Sequence, residues 1–158
     1  LLLDPKLGMP GIVERSRERI LRQTCEAVLL LELHPRASLT LVLQVLSDSG
    51  SLLACCLNAA CLGLLDAGLP MDSLFCGVTC ALQRDGSILL DPNSQQEQAS
   101  RAVLTFAIRS TDKTLLALSS KGSCSSQEVQ QCLLAAQRAS GSIFQFYQES
   151  SRRRYSKC

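Results

Sequence analysis

The stretch Val45-Leu-Ser-Asp-Ser-Gly-Ser-Leu-Leu-Ala-Cys-Cys-Leu-Asn-Ala-Ala-Cys-Leu-Gly-Leu-Leu-Asp-Ala-Gly-Leu-Pro-Met71 decides how the rest of the chain is read. Ser47-Asp48-Ser49-Gly50 is a turn made of helix-capping residues. Leu52 to Ala67 then predicts one helix, rich in Ala and Cys and apolar on nearly every side, which places it at the centre of the fold. Gly68 suits the left-handed residue that closes a helix, and Pro70 prevents continuation.

Toward the N-terminus, Ser38 to Leu46 is rich in Leu and Val and predicts a strand buried on both faces. Ile12 to Leu33 predicts a helix. Ile20, Cys25, Val28 and Leu29 form its apolar face with arginines opposite, and His34-Pro35 ends it because the residue before proline is pushed out of the α region. Leu1 to Pro10 reads as the end of a strand and a loop. Toward the C-terminus, Leu74 to Leu82 and Ser87 to Leu90 predict a hairpin around Arg84-Asp85-Gly86. Asp91 to Ser100 reads as a polar loop, and Ala102 to Arg109 and Thr114 to Ser119 as two further strands. Ser125 caps a last helix to about Arg153, with Glu128 in capping-box position and Val129, Leu133, Ala136, Ile143 and Phe146 on its apolar face. The sum is an α/β chain, long helices packed on mixed sheet.

Composition agrees. Hydrophobic residues make up 46% of the 158, charged residues 19% and aromatics 4%, with no Trp, which describes an aliphatic core and excludes a disordered chain. The net charge of +2 excludes a global basic field, so nucleic-acid binding would rest on local clusters: Arg15, Arg17, Arg19 and Arg22, and Arg152, Arg153, Arg154 and Lys157. Each cluster reads equally as a solvated surface. The nine cysteines contain no Cys-x-x-Cys pair and the only histidine is His34, so no metal centre is expected. Cys55, Cys56 and Cys61 inside an apolar run read as buried free thiols of a reducing compartment. Asn58, Asp66 and the glycines interrupt the apolar runs, so no membrane span is expected. The chain begins with Leu1, which suggests processing or truncation.

Leu21-Arg-Gln-Thr-Cys-Glu-Ala-Val28, then Leu33-His-Pro-Arg36, then Val45 to Met71 resemble, in that order, the RNase PH family. Within it the chain is most similar to the members that build the core ring of the eukaryotic RNA exosome. Asn58-Ala-Ala and Asp66-Ala-Gly-Leu-Pro-Met71 fall in register without a gap, and the likeness runs from about Leu7 through Arg153-Arg-Tyr-Ser-Lys157. The resemblance implies the ribosomal-S5-domain-2-like α/β fold, with residues 1–70 forming the C-terminal part of the first lobe and residues 71–158 the second. Family members carry a multi-stranded segment before the position of Leu7 that this chain nearly lacks, so exposed apolar surface is expected.

Active members use inorganic phosphate as the nucleophile on the 3′-terminal phosphodiester. Holding that anion beside an anionic RNA backbone needs cations, best supplied by arginine. The family's strand-to-helix turn reads Gln-Ala-Asp-Gly-Gly-Thr-Arg, and its helix start cradles phosphate. Here that turn is Ser47 to Leu53. The family's threonine falls on Leu52 and its arginine on Leu53, and a second arginine, from the first helix, falls near Val13. The resemblance also implies two aspartates six apart that bind a divalent metal or assist the leaving group. Asp91 matches the first and Glu97 the second. The reading that follows is a non-catalytic ring subunit. It takes no cofactor, metal or small-molecule substrate and makes no membrane contact. Its partners are other RNase-PH-like subunits, cap proteins and RNA, the last touched by Arg15, Arg17, Arg19, Arg22 and Arg36. The implied location is nucleus and nucleolus, and also cytoplasm. The alternative is a residual metal-dependent nuclease using Asp91 and Glu97.

Overall fold

Helix α1 (Ile12–Val28) opens the continuous part of the computed structural model, which describes Leu2–Leu3 and residues 11–156. Leu21, Thr24, Cys25 and Val28 form its buried stripe, spaced at one helical turn, and Arg15, Arg19 and Arg22 lie exposed on the other side. The helix stops five residues before the predicted end. Leu29 turns extended and bridges to Met71, while the Leu30 amide donates to the Pro70 carbonyl at 3.1 Å and the Asp72 amide to the Val28 carbonyl at 3.0 Å. Pairing with the far end of the decisive stretch overrides the helical period. Leu31–Leu33 forms only one 3₁₀ turn before His34.

The strand predicted over Ser38 to Leu46 shrinks to β2 (Val42–Leu43), paired in parallel with β1 (Leu2–Leu3). It is not buried on both faces. Val42, Val45 and Leu46 are exposed, because β2 has no second neighbour and no layer over its outer side among the described residues. The remainder of Leu1 to Pro10 lies outside the described residues, as do Lys157 and Cys158.

Helix α2 (Leu52–Asp66) follows the prediction closely, with Gly68 left-handed just after it (φ +68°). Leu53, Ala54, Cys56, Leu57, Ala60, Cys61 and Leu64 are buried. One reading is corrected: Cys55, Ala59 and Gly63 form an exposed line of small residues, so Cys55 is not a buried thiol. Cys25, Cys56, Cys61, Cys76, Cys80 and Cys132 are buried and unpaired. Burial pushes Cys25 up to about 11 and Cys76 and Cys80 up to about 12, which makes them inert packing groups near neutral pH.

The second half is an antiparallel sheet in the order β4-β3-β5-β6, with β3 (Phe75–Leu82), β4 (Ile88–Leu90), β5 (Ala102–Arg109) and β6 (Leu115–Gly122). The mixed character of the fold comes from two sheets, one parallel and one antiparallel, and not from strands mixed within one sheet. Every residue of β3 is buried, because α2 and α4 (Ser126–Tyr155) both pack on it. Ser125 and Glu128 cap α4 reciprocally as predicted: the Ser125 amide donates to Glu128 at 2.7 Å and Ser125 accepts from the Glu128 amide at 3.3 Å. Of the predicted apolar face of α4, Ala136 is buried and Val129, Leu133 and Ile143 pack against the core, and only Phe146 departs. Cys132, Ala136, Ser140, Phe144 and Tyr147 are buried, whereas Phe146 is 58% exposed. The short leucine and alanine runs fit several helical stripes, and contact with β3 selects this one. Asp91 to Ser100 is also corrected, since Ser94–Ala99 is a helix, α3, closed by a capping box between Asn93 and Gln96.

Strand β4 covers only part of β3. Beyond Thr79, where the Asp91 amide donates to the Thr79 carbonyl, no strand flanks that edge. Side chains replace it. The Gly77 amide donates to Asn58 Oδ1 at 2.8 Å, Asn58 Nδ2 donates to the Gly77 carbonyl at 3.3 Å, and the Tyr147 hydroxyl lies 2.8 Å from Asn58 Oδ1 and 3.2 Å from the Phe75 carbonyl. The open edge is thus satisfied from α2 and α4, as a buried backbone requires. No helix is long and apolar enough to cross a membrane among the described residues.

Candidate functional site

The turn before α2 and the segment after β4 are docked against each other. Gly50 takes φ +114°, and a Cβ there would lie 2.6–2.7 Å from backbone atoms of Pro92, Asn93 and Ser94, so only glycine fits. The Ser94 amide donates to the Ser49 carbonyl at 2.8 Å, and Ser51 Oγ donates to the Pro92 carbonyl at 2.9 Å. Ser51, left-handed at φ +51°, precedes the first residue of α2 and uses its hydroxyl for this docking, so it does not cap the helix.

Glu97 performs the capping. Its Oε1 accepts from the Ser51 amide at 2.8 Å, across a sequence separation of 46 residues. A capping-box glutamate normally reaches back from inside its own helix. Here it comes from α3, and it brings a negative charge to the positive end of α2. Leu53 is buried in the core, Leu52 is half-buried, and Val13 is 61% exposed at the start of α1. None of the three offers a donor or a cation. Arg17 is the α1 arginine whose charge is felt here: burial pushes the Cys56 thiol up, and Arg17 acts against that rise. Arg22 pairs with Glu18 at 3.5 Å, and Arg15, Arg19 and Arg36 are exposed to solvent.

Asp91 is exposed and left-handed (φ +52°) at the end of β4, while Glu97 is directed onto Ser51. The described residues contain no group of three or more His, Cys, Asp or Glu able to surround a metal ion. The divalent metal that the resemblance implies for this carboxylate pair is poorly fitted here, because no third His, Cys, Asp or Glu joins Asp91 and Glu97 among the described residues and one Glu97 oxygen already accepts from the Ser51 amide. Sequence reasoning missed Gly50, Ser51 and Asn93 as the residues that build this site. The spacing Asn93-x-x-Gln96 was the available signal for α3, and nothing local could have announced a cap arriving from 46 residues away.

Comparison with known proteins gives the family. The model of the 3′ exoribonuclease family matches with its domain 1 over residues 5–70 and with its domain 2 over residues 73–139. The exosome complex exonuclease RRP46 homolog of Arabidopsis thaliana is 36% identical over 116 residues, covering 73% of this chain and 48% of that protein. The crystal structure of rice Rrp46 matches with a TM-score of 0.88 at 29% identity, over 94% of this chain and 70% of the rice chain. The C. elegans cell-death-related nuclease 5 matches with a TM-score of 0.62 at 31% identity, over 69% of this chain and 60% of that one. The chain spans about half the length of the Arabidopsis relative it matches. Two family domains in order, on a fold shared with rice Rrp46, mean that the chain belongs to the RNase PH family of 3′ exoribonucleases.

Proposed function

We propose that the chain is a non-catalytic RNase-PH-like subunit of the RNA exosome core ring, supporting 3′-to-5′ RNA processing through assembly and contacts to RNA. The observation that carries the reading is the start of α2. Where the family resemblance implies threonine and arginine around phosphate, this chain has Leu52 and Leu53, and the carboxylate of Glu97 rests on the Ser51 amide. A fixed anion there repels a second one. The ring assignment draws on the relatives named as exosome components.

Added to RNA with inorganic phosphate, the chain is expected to release no nucleoside diphosphates. Leu53→Arg alone is expected not to restore release, because the threonine and second arginine positions also lack their groups. Nucleoside diphosphates above a no-protein control would overturn the reading. Phosphate-independent cleavage that requires Mg²⁺ or Mn²⁺ would instead favour a nuclease using Asp91 and Glu97. An affinity-tagged full chain is expected to recover RNase-PH-like subunits and cap proteins.

The exposed arginines of the first lobe give a separate prediction. Replacing Arg15, Arg17, Arg19, Arg22 and Arg36 together by Ala is expected to reduce RNA crosslinking of the assembled ring and to make it less salt-sensitive, independent of RNA sequence, since phosphate contacts carry no sequence information. Unchanged crosslinking would make these arginines a solvated surface only.

A further inference from the structure

The end of α4 carries a feature that neither the core nor the α2 site uses. Phe146 is 58% exposed, next to the buried Phe144 and Tyr147 but turned away from the core. Arg153 lies seven residues on, hence on the same face, and Phe146, Glu149, Ser150, Arg153 and Arg154 line one shallow cleft. Arg154 is tied to Asp66 at 3.2 Å, and the Tyr155 hydroxyl donates to the same carboxylate at 2.6 Å, which pins the helix end to α2. Arg152 and Arg153 are exposed and have no carboxylate partner among the described residues. Glu149 is held by Gln145 at 3.1 Å. Cations at a helix C-terminus answer the helix dipole, but that explanation requires no exposed aromatic ring beside them.

We propose that this face of α4 binds single-stranded RNA, with one base stacked on Phe146 and a backbone phosphate held by Arg153. The proposal rests on the reading of the chain as an RNA-handling subunit, and it places an RNA contact apart from the arginines of α1. An aromatic face with adjacent unpaired guanidiniums is the combination that holds unpaired nucleotides without reading sequence. A duplex is a poorer ligand, because its bases are already stacked on each other. The occupant is an anion: the Arg153 guanidinium in the cleft has no carboxylate partner among the described residues, and the single carboxylate in the cleft, Glu149, works against binding.

Titration of fluorescein-labelled single-stranded oligo(U) with the full chain, at several salt concentrations, tests this. Phe146→Ala is expected to weaken binding about ten-fold, the scale of one lost base stack, and to leave the salt dependence unchanged. Arg153→Ala is expected to lower the slope of log affinity against log salt by about one. Glu149→Gln is expected to tighten binding, and a duplex of the same length to bind more weakly. All three positions are accessible to solvent, so the variants are expected to melt with the wild type, which separates lost contact from lost fold. Wild-type affinity in Phe146→Ala, an unchanged slope in Arg153→Ala, or equal affinity for duplex would overturn the proposal. So would the absence of binding by the wild-type chain. None of these outcomes touches the ring assignment, which is read from the subunits recovered with the tagged chain.

Discussion

Tyr147→Ala is expected to cost about 3–5 kcal/mol, the range for removing a large buried aromatic side chain. Tyr147 is 1% exposed, stacks edge-to-face on Phe144 with ring centroids 5.9 Å apart, and bonds through its hydroxyl to Asn58 and to the Phe75 carbonyl. Truncation therefore leaves a cavity at the junction of α4, α2 and β3 and removes the hydroxyl from the exposed edge of β3. Tyr147→Phe separates the two contributions. It keeps the ring and loses only the hydroxyl, for an expected cost of about 1–2 kcal/mol. With single domains stable by only about 5–15 kcal/mol, the alanine variant should approach the limit of folding. Urea unfolding of both variants checks the order. If Tyr147→Ala unfolds with the wild type, the packing of α4 on β3 described above is wrong.

Gly77→Ala is the second large effect, of about 2–3 kcal/mol, and it acts by crowding where Tyr147→Ala acts by cavity formation. A Cβ on Gly77 would lie 2.8 Å from Ala54 Cα, 2.9 Å from the Ala54 carbonyl oxygen and 2.9 Å from Leu57 Cβ. Two of these three atoms belong to the backbone of α2, so no rotamer change relieves the contact. Either α2 lifts from the sheet or β3 bends and loses its bonds to Asn58. Gly141→Ala is the control. It lies in α4 with nothing within 4 Å of the new Cβ, and it should stabilise by roughly 0.5–1 kcal/mol because alanine restricts the unfolded chain. Thermal melts of the pair are expected to move in opposite directions. A Gly77→Ala protein as stable as the wild type would mean that α2 does not rest on β3 at this distance.

Gly77 illustrates what was legible in the sequence and what was not. Glycine inside an apolar strand run is a recognised mark of close backbone approach, yet nothing near position 77 says that the approaching backbone is Ala54. The strands of the second sheet and both long helices were readable because their signals are local: Asp85-Gly86 for the hairpin, Ser125 with Glu128 for the start of α4, Gly68 and Pro70 for the end of α2. The departures all come from tertiary contact. The Leu29–Met71 bridge ends α1 before His34, a single strand neighbour leaves β2 short and exposed, and packing on β3 turns Phe146 outward. At the candidate site, the replacements at Leu52 and Leu53 were visible in the sequence through the resemblance, but the role of Glu97 was not. A carboxylate in a polar loop gives no local sign that it caps a helix 46 residues earlier.

Asn58 holds together pieces of chain that lie far apart: its bonds and those of Tyr147 span separations of 19, 72 and 89 residues. The Asn58–Gly77 pair needs only α2 on β3, whereas the Tyr147 bonds form only once α4 has docked as well, so a loop of 89 residues is closed before they contribute. The first-lobe helix therefore cannot complete the interior of the protein by itself, and neither can the second-lobe sheet. Contacts of this range place the closing of the Asn58–Tyr147–Phe75 network among the slower, non-local steps of folding. A nascent chain can accordingly cover α2, the most apolar helix it has, with α1, β3 and β5, and gains the Tyr147 hydroxyl on Asn58 only when α4 arrives.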